Sequence, residues 1–453
     1  MPVVRPFRAL RYSAEAVDDL AAVVAPPYDV VDPDRHRALL ARDPRNVIRL
    51  DLPLEEPGDE PDDRYRRASR LLSAWRSDGT LRRDPRPALY AYEQTFRVPG
   101  GDEQLTRRGL FARVALESFG PESGIRPHER TLAAPREDRY RLLRATGVNT
   151  SPVVGLYDEP TGLVAKRLEA VAEDPPTIDL VDDEGVRHRL WMLAVTSQGD
   201  PAEGAAGAGE AGALAQLCER IGASPITIAD GHHRYETALR YRDERRTGPA
   251  AGSEAAYDEI LMLLLEPVAG PILVLPTHRV VRGLGDPAVR ALRSRLRELF
   301  EVRDAYPDEL VAAFGHVGAH GGGHGGEGRF GLWTRDGGAI LRARREAFEP
   351  WLPAGGAALQ GLDVTLLGVA LEQLLGLDVS AVAGGERIAY TKDGQEAMAW
   401  VDEGRDGADV AFLLDPTPAP SILAIAAEGD VMPQKSTYIH PKALTGLVIN
   451  PLE

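Results

Sequence analysis

Residues 226–239 read Ile-Thr-Ile-Ala-Asp-Gly-His-His-Arg-Tyr-Glu-Thr-Ala-Leu, an apolar strand, a tight Asp230-Gly231 turn and a helix start. His232, His233 and Arg234 fall in the first turn of that helix. A helix N-terminus carries unpaired backbone N–H groups and the positive end of the helix dipole, so it attracts anions. The imidazoles and guanidinium add donors around such an anion, and Gly231 lets backbone approach it closely. The simpler alternative is that Asp230 caps the helix and the basic residues lie in solvent. Cations at a helix start oppose the dipole, which disfavours a purely structural origin. The expectation is a turn that handles phosphate.

Two further segments carry chemistry. Residues 126–131, Arg-Pro-His-Glu-Arg-Thr, place His128 beside Glu129, and either could take a proton from a substrate hydroxyl. No second histidine follows four residues on, so the two-histidine zinc motif is absent. Residues 131–143 also read as a charged amphipathic helix with surface ion pairs. Near the C-terminus, Lys435, Ser436, Thr437, His440 and Lys442 lie within eight residues. The glycines of a P-loop are missing upstream, yet two lysines, two hydroxyls and a histidine could clamp an anion. An exposed basic segment is the alternative. Tyr28 and Asp29, in Pro26-Pro27-Tyr28-Asp29, offer a stacking face and an acceptor, although proline stiffness alone explains that corner. Thr277-His278-Arg279 ends an apolar strand, where ligand-binding groups often emerge. His316, His320 and His324 would align for a metal on a helix, but Gly318, Gly321, Gly322, Gly323, Gly325 and Gly326 make a helix implausible there. A solvated loop without metal is expected.

These residues must be positioned by a chain of 453 residues, long enough for two or three domains. The composition, 43% hydrophobic and 27% charged, is that of a globular protein, and no apolar run approaches a bilayer span. The net charge, 53 − 69 = −16, weighs against broad nucleic-acid binding. The start of the chain lacks the basic-then-apolar order of a signal peptide, and the single Cys218 excludes an internal disulfide. A cytoplasmic protein with no membrane partner is expected. Periodicity predicts an amphipathic helix over 62–76, hairpins over 89–116 and 177–192, and a flexible insert over 198–213. Strands are predicted at 259–265 and 272–275. A helix follows, burying Val289, Leu292, Leu296, Leu299 and Phe300, and a later one is capped by Asp363 and stopped by Gly376. Strands and helices mix without a strict β-α-β rhythm, so the fold class is α+β. The division expected is 1–120, an N-terminal α/β region; 121–310, a core with the Asp-Gly-His-His-Arg turn; and 311–453, a C-terminal α/β region returning a basic segment to the site.

Four segments together resemble a bacterial and archaeal family known as domain of unknown function 1015: PPYDVV at 26–31, PHERT at 127–131, ADGHHRYETAL at 229–239 and MPQKSTYIHPK at 432–442. They occur in the family's order and span nearly the whole chain. The turn itself resembles the phosphate-binding turn of the ParB/sulfiredoxin superfamily, with free-serine kinases showing the nearest form. That resemblance implies a ParB/sulfiredoxin-like core embedded in a larger mixed α/β chain. It implies that Asp230, Gly231, His232, His233 and Arg234 hold nucleotide or the transferred phosphate. It implies a glutamate base upstream of the turn; Glu129 is taken for it, although about 100 residues intervene where those kinases have a short spacing. Sulfiredoxin chemistry needs a cysteine beside the turn, and Cys218, twelve residues before Asp230, reads as core.

The leading expectation is a nucleotide-dependent phosphotransferase acting on a small hydroxyl compound, with free serine favoured. ATP or ADP and Mg²⁺ are the expected cofactors, Asp230 being the candidate metal ligand, directly or through water. Lys435 or Lys442 would bind phosphate or a substrate carboxylate, with Ser436 and Thr437 beside them. The alternatives are a nucleotide-binding switch or NTPase of ParB-like type, and a metal-dependent hydrolase built on His128, Glu129, Asp230, His232 and His233. A homo-oligomer is left open.

Overall fold

The run Glu259–Leu265 is buried at every position, so it needs apolar cover on both faces. Alternation supplies it: Leu261, Leu263 and Leu265 join Tyr90, Tyr92 and Phe111 in one cluster. Ile260, Met262 and Leu264 join Leu110, Ala112 and Val114 in another. The strand lies inside a nine-stranded sheet whose order is Ile125–Arg126, Ile226–Asp230, Val153–Leu156, Glu259–Leu265, Gln104–Ala115, Ala88–Arg97, Arg187–Ala194 and Ile178–Val181, with Val4–Arg5 on Gln104–Ala115. Two pairings are parallel, Ile125–Arg126 with Ile226–Asp230 and Val153–Leu156 with Glu259–Leu265. The computed structural model describes residues 1–129, 133–194, 204–247, 255–314, 326–383 and 385–453.

A second, six-stranded antiparallel sheet is built from residues 278–414 in the order Phe300–Ala305, Gly337–Ala343, Arg329–Thr334, Ala408–Leu414, His278–Arg282 and Ile388–Thr391. A ribbon of Leu273–Leu275 with Tyr438–His440 joins the chain entering this sheet to the C-terminal segment. Helices and sheets thus mix as the sequence leads one to expect. Strands on both sides of residue 120 share the large sheet, and the three-part division stays a proposal.

Several local expectations hold. The amphipathic helix is Asp63–Ser77, burying Tyr65, Ala68, Leu72 and Trp75. Both hairpins form antiparallel pairs. Gly376 ends its helix in the left-handed region at φ 66°. Others are corrected. From residue 204 the expected flexible insert is helix, Gly204–Gly222, because its second half carries Leu214, Leu217 and Ile221 into the core. Phe300 opens a strand rather than closing a helix, after a 3₁₀ turn at Leu296–Glu298. Asp363 begins its helix but caps a loop instead: its carboxylate accepts from Gly326 N–H and Gly328 N–H, each at 2.8 Å. Burial pushes that carboxyl up to about 6. His316, His320 and His324 lie outside the described residues, as do Arg130 and Thr131.

Close strand packing leaves no room for a side chain at Gly109, which sits opposite Leu265 and Tyr92. A Cβ there would meet Leu265 Cδ2 at 2.5 Å and the Leu264 carbonyl at 2.6 Å. Gly109→Ala should therefore cost about 1–3 kcal/mol of stability, read from the midpoint of urea unfolding.

Candidate functional site

The strand Ile226–Asp230 is buried up to its last residue and delivers Asp230 to the sheet's edge of polar groups. Gly231 then turns the chain at φ 88° and is the cap position of the helix His232–Arg246. A Cβ on Gly231 would stand 3.0 Å from the Arg234 guanidinium, so the turn needs glycine for both its angle and its crowding.

Register explains how Glu129 arrives. Ile125–Arg126 runs parallel to this strand, with Ile125 opposite Ile226 and Arg126 opposite Thr227. Two to three residues further on, each chain leaves the sheet at the same end, which places His128 and Glu129 beside Asp230. The C-terminal segment closes the third side. Met432 N–H donates to the His128 carbonyl at 2.7 Å, and Glu129 and Met432 form an isolated parallel bridge. Lys435 adopts a left-handed φ of 55°, and its N–H donates to Glu129 Oε1 at 3.0 Å. The Thr277 hydroxyl donates to the Lys435 carbonyl at 2.7 Å.

The basic residues of the turn are arranged differently from the expectation of free cations around an anion. Arg234 donates to Asp230 Oδ2 at 2.7 Å and to the Pro152 carbonyl, while Lys442 Nζ lies 2.5 Å from Asp230 Oδ1. Despite burial, the two cations hold the Asp230 carboxyl well below the usual carboxylate range. Each carboxylate oxygen accepts from one cation.

Burial disfavours the charged form of His128, His232 and His233. Burial pulls the His128 imidazole down to about 4, and His232 well below 6.5, with His128 beside it as a further cause. His128 Nδ1 faces the Ile228 carbonyl, so it carries the proton, and Nε2 accepts from the Thr437 hydroxyl at 3.0 Å. The His128 backbone N–H donates to His232 Nε2 at 3.1 Å, and the two rings meet edge to face at 4.6 Å. His128 therefore has both ring nitrogens engaged with the protein. His233 is shifted down as well, by its own burial and by Lys435.

A cavity of ≈ 220 Å³ sits among these groups. His128, Glu129, Asp230, Gly231, His232, His233, Arg234, Lys435, Thr437 and Lys442 all line it. Ser436 does not: it is 2% exposed, and its hydroxyl donates to the Pro433 carbonyl at 2.5 Å. Tyr28 and Asp29 of the proline corner and Thr277 are also in the lining. Sequence reasoning missed Tyr390, Thr391 and Lys392, which the strand Ile388–Thr391 of the second sheet brings to the same cavity. The available signal was polar groups at a strand end just before the helix cap Asp393. Lys392 and Lys442 place their ammonium groups 4.2 Å and 4.5 Å from the Tyr438 ring centroid. Cys218 stays on its helix, half-buried against the core, its thiol pushed up to about 11 by burial. Among the described residues, no group of three or more His, Cys, Asp or Glu side chains is placed to hold a metal ion, and no helix is long and apolar enough to cross a membrane.

The chain belongs to the family described as protein of unknown function (DUF1015), which matches residues 4–365. Comparison with curated proteins found no match. Among solved structures the chain is similar to a free serine kinase in complex with AMP, at 13% identity and a TM-score of 0.36, over 73% of this chain and 86% of that one. It is similar also to a conserved hypothetical protein from Pyrococcus furiosus, at 13% identity and 0.34, over 73% and 89%. A third is SbnI with C-terminal truncation from Staphylococcus aureus, at 12% and 0.35, over 73% and 84%.

Burial raises the Glu129 carboxyl from its ordinary 4.5 to about 7, with the Lys435 N–H and ammonium opposing. The folded chain then holds a proton that the unfolded chain releases. Stability from this group is complete below about 4.5 and is lost as pH rises through about 7. Glu129→Gln escapes that loss, so its melting temperature should climb relative to the parent protein between pH 5 and pH 8. Parallel thermal melts across that range check the sign.

Proposed function

We propose that this protein is a nucleotide-dependent phosphotransferase acting on the hydroxyl of a small compound, free serine being the favoured substrate. One observation carries the reading: a carboxyl held near 7, Glu129, faces a cavity ringed by Lys392, Lys435, Lys442 and the N-terminus of the helix His232–Arg246. A base works best when its proton affinity lies near the operating pH. Phosphoryl transfer asks mainly for positioning and for positive charge around the transferred group. We place the Asp230–Arg234 turn with the ParB/sulfiredoxin-like phosphate-binding turns on its motif.

The residues present fit the phosphates of ATP or ADP, which would supply the phosphoryl group. Lys435, Lys442 and the helix N–H groups would hold them. Ionised Glu129 accepts the proton of the substrate hydroxyl as that oxygen bonds to phosphorus and the bond to the leaving nucleotide oxygen breaks. Asp230, bound to Arg234 and Lys442, fixes those two cations and would hold Mg²⁺ directly or through water. Tyr28 and Tyr390 give the cavity flat faces for substrate or nucleotide. A cytoplasmic setting follows from a nucleotide donor. The hydrolase alternative lacks a convergent ligand set among the described residues.

Labelled ATP or ADP incubated with the protein and serine should yield phosphoserine, with kcat falling on the acid side of about pH 7. Glu129→Gln should lower kcat roughly 10²–10⁴-fold while nucleotide affinity, read by calorimetry, stays within a few-fold. Nucleotide binding without turnover on serine or any other hydroxyl compound would favour the switch. Absence of both would sink the phosphate-site reading itself.

A further inference from the structure

Residues 431–434 line a second cavity, of ≈ 230 Å³, while their neighbours Lys435 and Thr437 line the first. One run of chain thus borders both. The walls of the second cavity are largely apolar, and the helix Asp363–Leu375 contributes Val364, Gly368, Val369 and Leu371. Trp351 and Val379 also line it while 53% and 70% exposed, so the cavity opens to solvent through an apolar mouth.

Four polar side chains, Arg279, Thr365, Glu372 and Gln434, break the apolar lining, and two of them are buried with unpaired groups. Arg279 is 2% exposed, yet its Nε–H and Nη1–H find no acceptor. Thr365 is 3% exposed, and its hydroxyl has no partner either. Tyr390 hydrogen-bonds the guanidinium and holds its ring 6.0 Å away, but Nε–H and Nη1–H remain without an acceptor. A buried guanidinium without a carboxylate is costly, and such unpaired donors mark a position where an acceptor belongs.

We infer that this cavity binds a small amphipathic monocarboxylate, its carboxylate on Arg279 and Thr365 and its apolar body of roughly five to eight carbons along the helix Asp363–Leu375. The size follows from the volume, since a heavy-atom group takes up about the ~30 Å³ of a liquid water. A phosphate would need more donors than one guanidinium and one hydroxyl, and the exposed Glu372 on the lining adds repulsion against a dianion. The buried charge of Arg279 favours a carboxylate over an amine at the closed end of the cavity.

Calorimetric titration of the full chain with hexanoate, hexanol and hexylamine tests this directly. Hexanoate should bind about tenfold tighter than hexanol, and hexylamine should not bind. Arg279→Met should erase the preference for hexanoate while hexanol still binds. Gly368→Leu should abolish binding of both: a Cβ at Gly368 meets nothing within 4 Å, so its side chain has only the cavity to fill, and a helical glycine is replaced by a better helix former. Thermal melts confirm that each variant is folded, and should Arg279→Met fail to fold, Gly368→Leu decides. Equal affinity for hexanoate and hexanol, no binding at millimolar concentration, or hexanoate binding that survives Gly368→Leu each overturns the inference. The readout is binding alone, so failure of the phosphotransferase reading leaves it standing.

Discussion

The Asp230 carboxylate, shared between Arg234 and Lys442, is the interaction on which the site depends. It joins the end of a central strand, the first turn of a helix and a segment more than 200 residues later, none of which could hold its charged group in place alone. Arg234 extends the tie to the Pro152 carbonyl on the neighbouring chain. Removing three charges from water is expensive, and mutual attraction offsets that only where both carboxylate oxygens are matched. Here they are, one cation to each oxygen. The cluster keeps a net positive charge, because two cations answer one anion. That surplus, with Lys435 and Lys392, gives the cavity its sign.

The positive character therefore comes from lysines, the surplus of the triad and the helix end, and not from the histidines. His128 and His232 line the cavity yet are almost fully buried, and burial makes the charged imidazole the costlier form. Neutral, His128 does something a cation could not: it donates at Nδ1 to the Ile228 carbonyl and accepts at Nε2 from Thr437. A protonated ring would carry a hydrogen on both nitrogens, and Thr437 would have to turn its hydroxyl away. The pair of histidines thus braces the strand end against the C-terminal segment, and the hydroxyl oxygen of Thr437 keeps lone pairs for the cavity.

How much of this was legible in the sequence varies with the kind of information needed. The strand, turn and helix at Asp230–Gly231 were, because a positive φ and a periodicity change are local signals. The segments around Glu129 and Lys435 stood out by polar density beside prolines, and they do meet. Their meeting was not derivable, since it depends on Ile125–Arg126 pairing in parallel with a strand about 100 residues on. Tyr390, Thr391 and Lys392 were overlooked because three polar residues at the end of a short strand look like any other loop entry. The protonation of the histidines was misread for a related reason: His232 on a helix start looks exposed until the Met432 segment is laid over its partner, His128. From residue 204 the insert expected over 198–213 is instead the start of the helix Gly204–Gly222, because composition argues for weak propensity whereas burial of Leu217 and Ile221 decides the outcome.

The wall between the two cavities determines how strongly Glu129 holds its proton. Glu129 accepts a hydrogen bond from Lys435 N–H, and that N–H points at the carboxylate because Lys435 is held in a left-handed conformation. The conformation is strained for a side chain with a Cβ and persists because its flanks are tied down. Met432 is bound to the His128 carbonyl, the Lys435 carbonyl to Thr277, the Ser436 carbonyl to Thr417, and Thr437 to His128. These ties come from both sheets, so the proton affinity of the candidate base is set by the packing of one sheet against the other. Arg279 belongs to the same balance: it follows Thr277 by two residues, stands beside Tyr390 of the polar cavity, and feels the charge of Glu129. An anion arriving at Arg279 would cancel part of the positive field that favours ionised Glu129, and the carboxyl would hold its proton to higher pH. Occupancy of the apolar cavity and ionisation of the base are then linked, with coupling that runs in both directions.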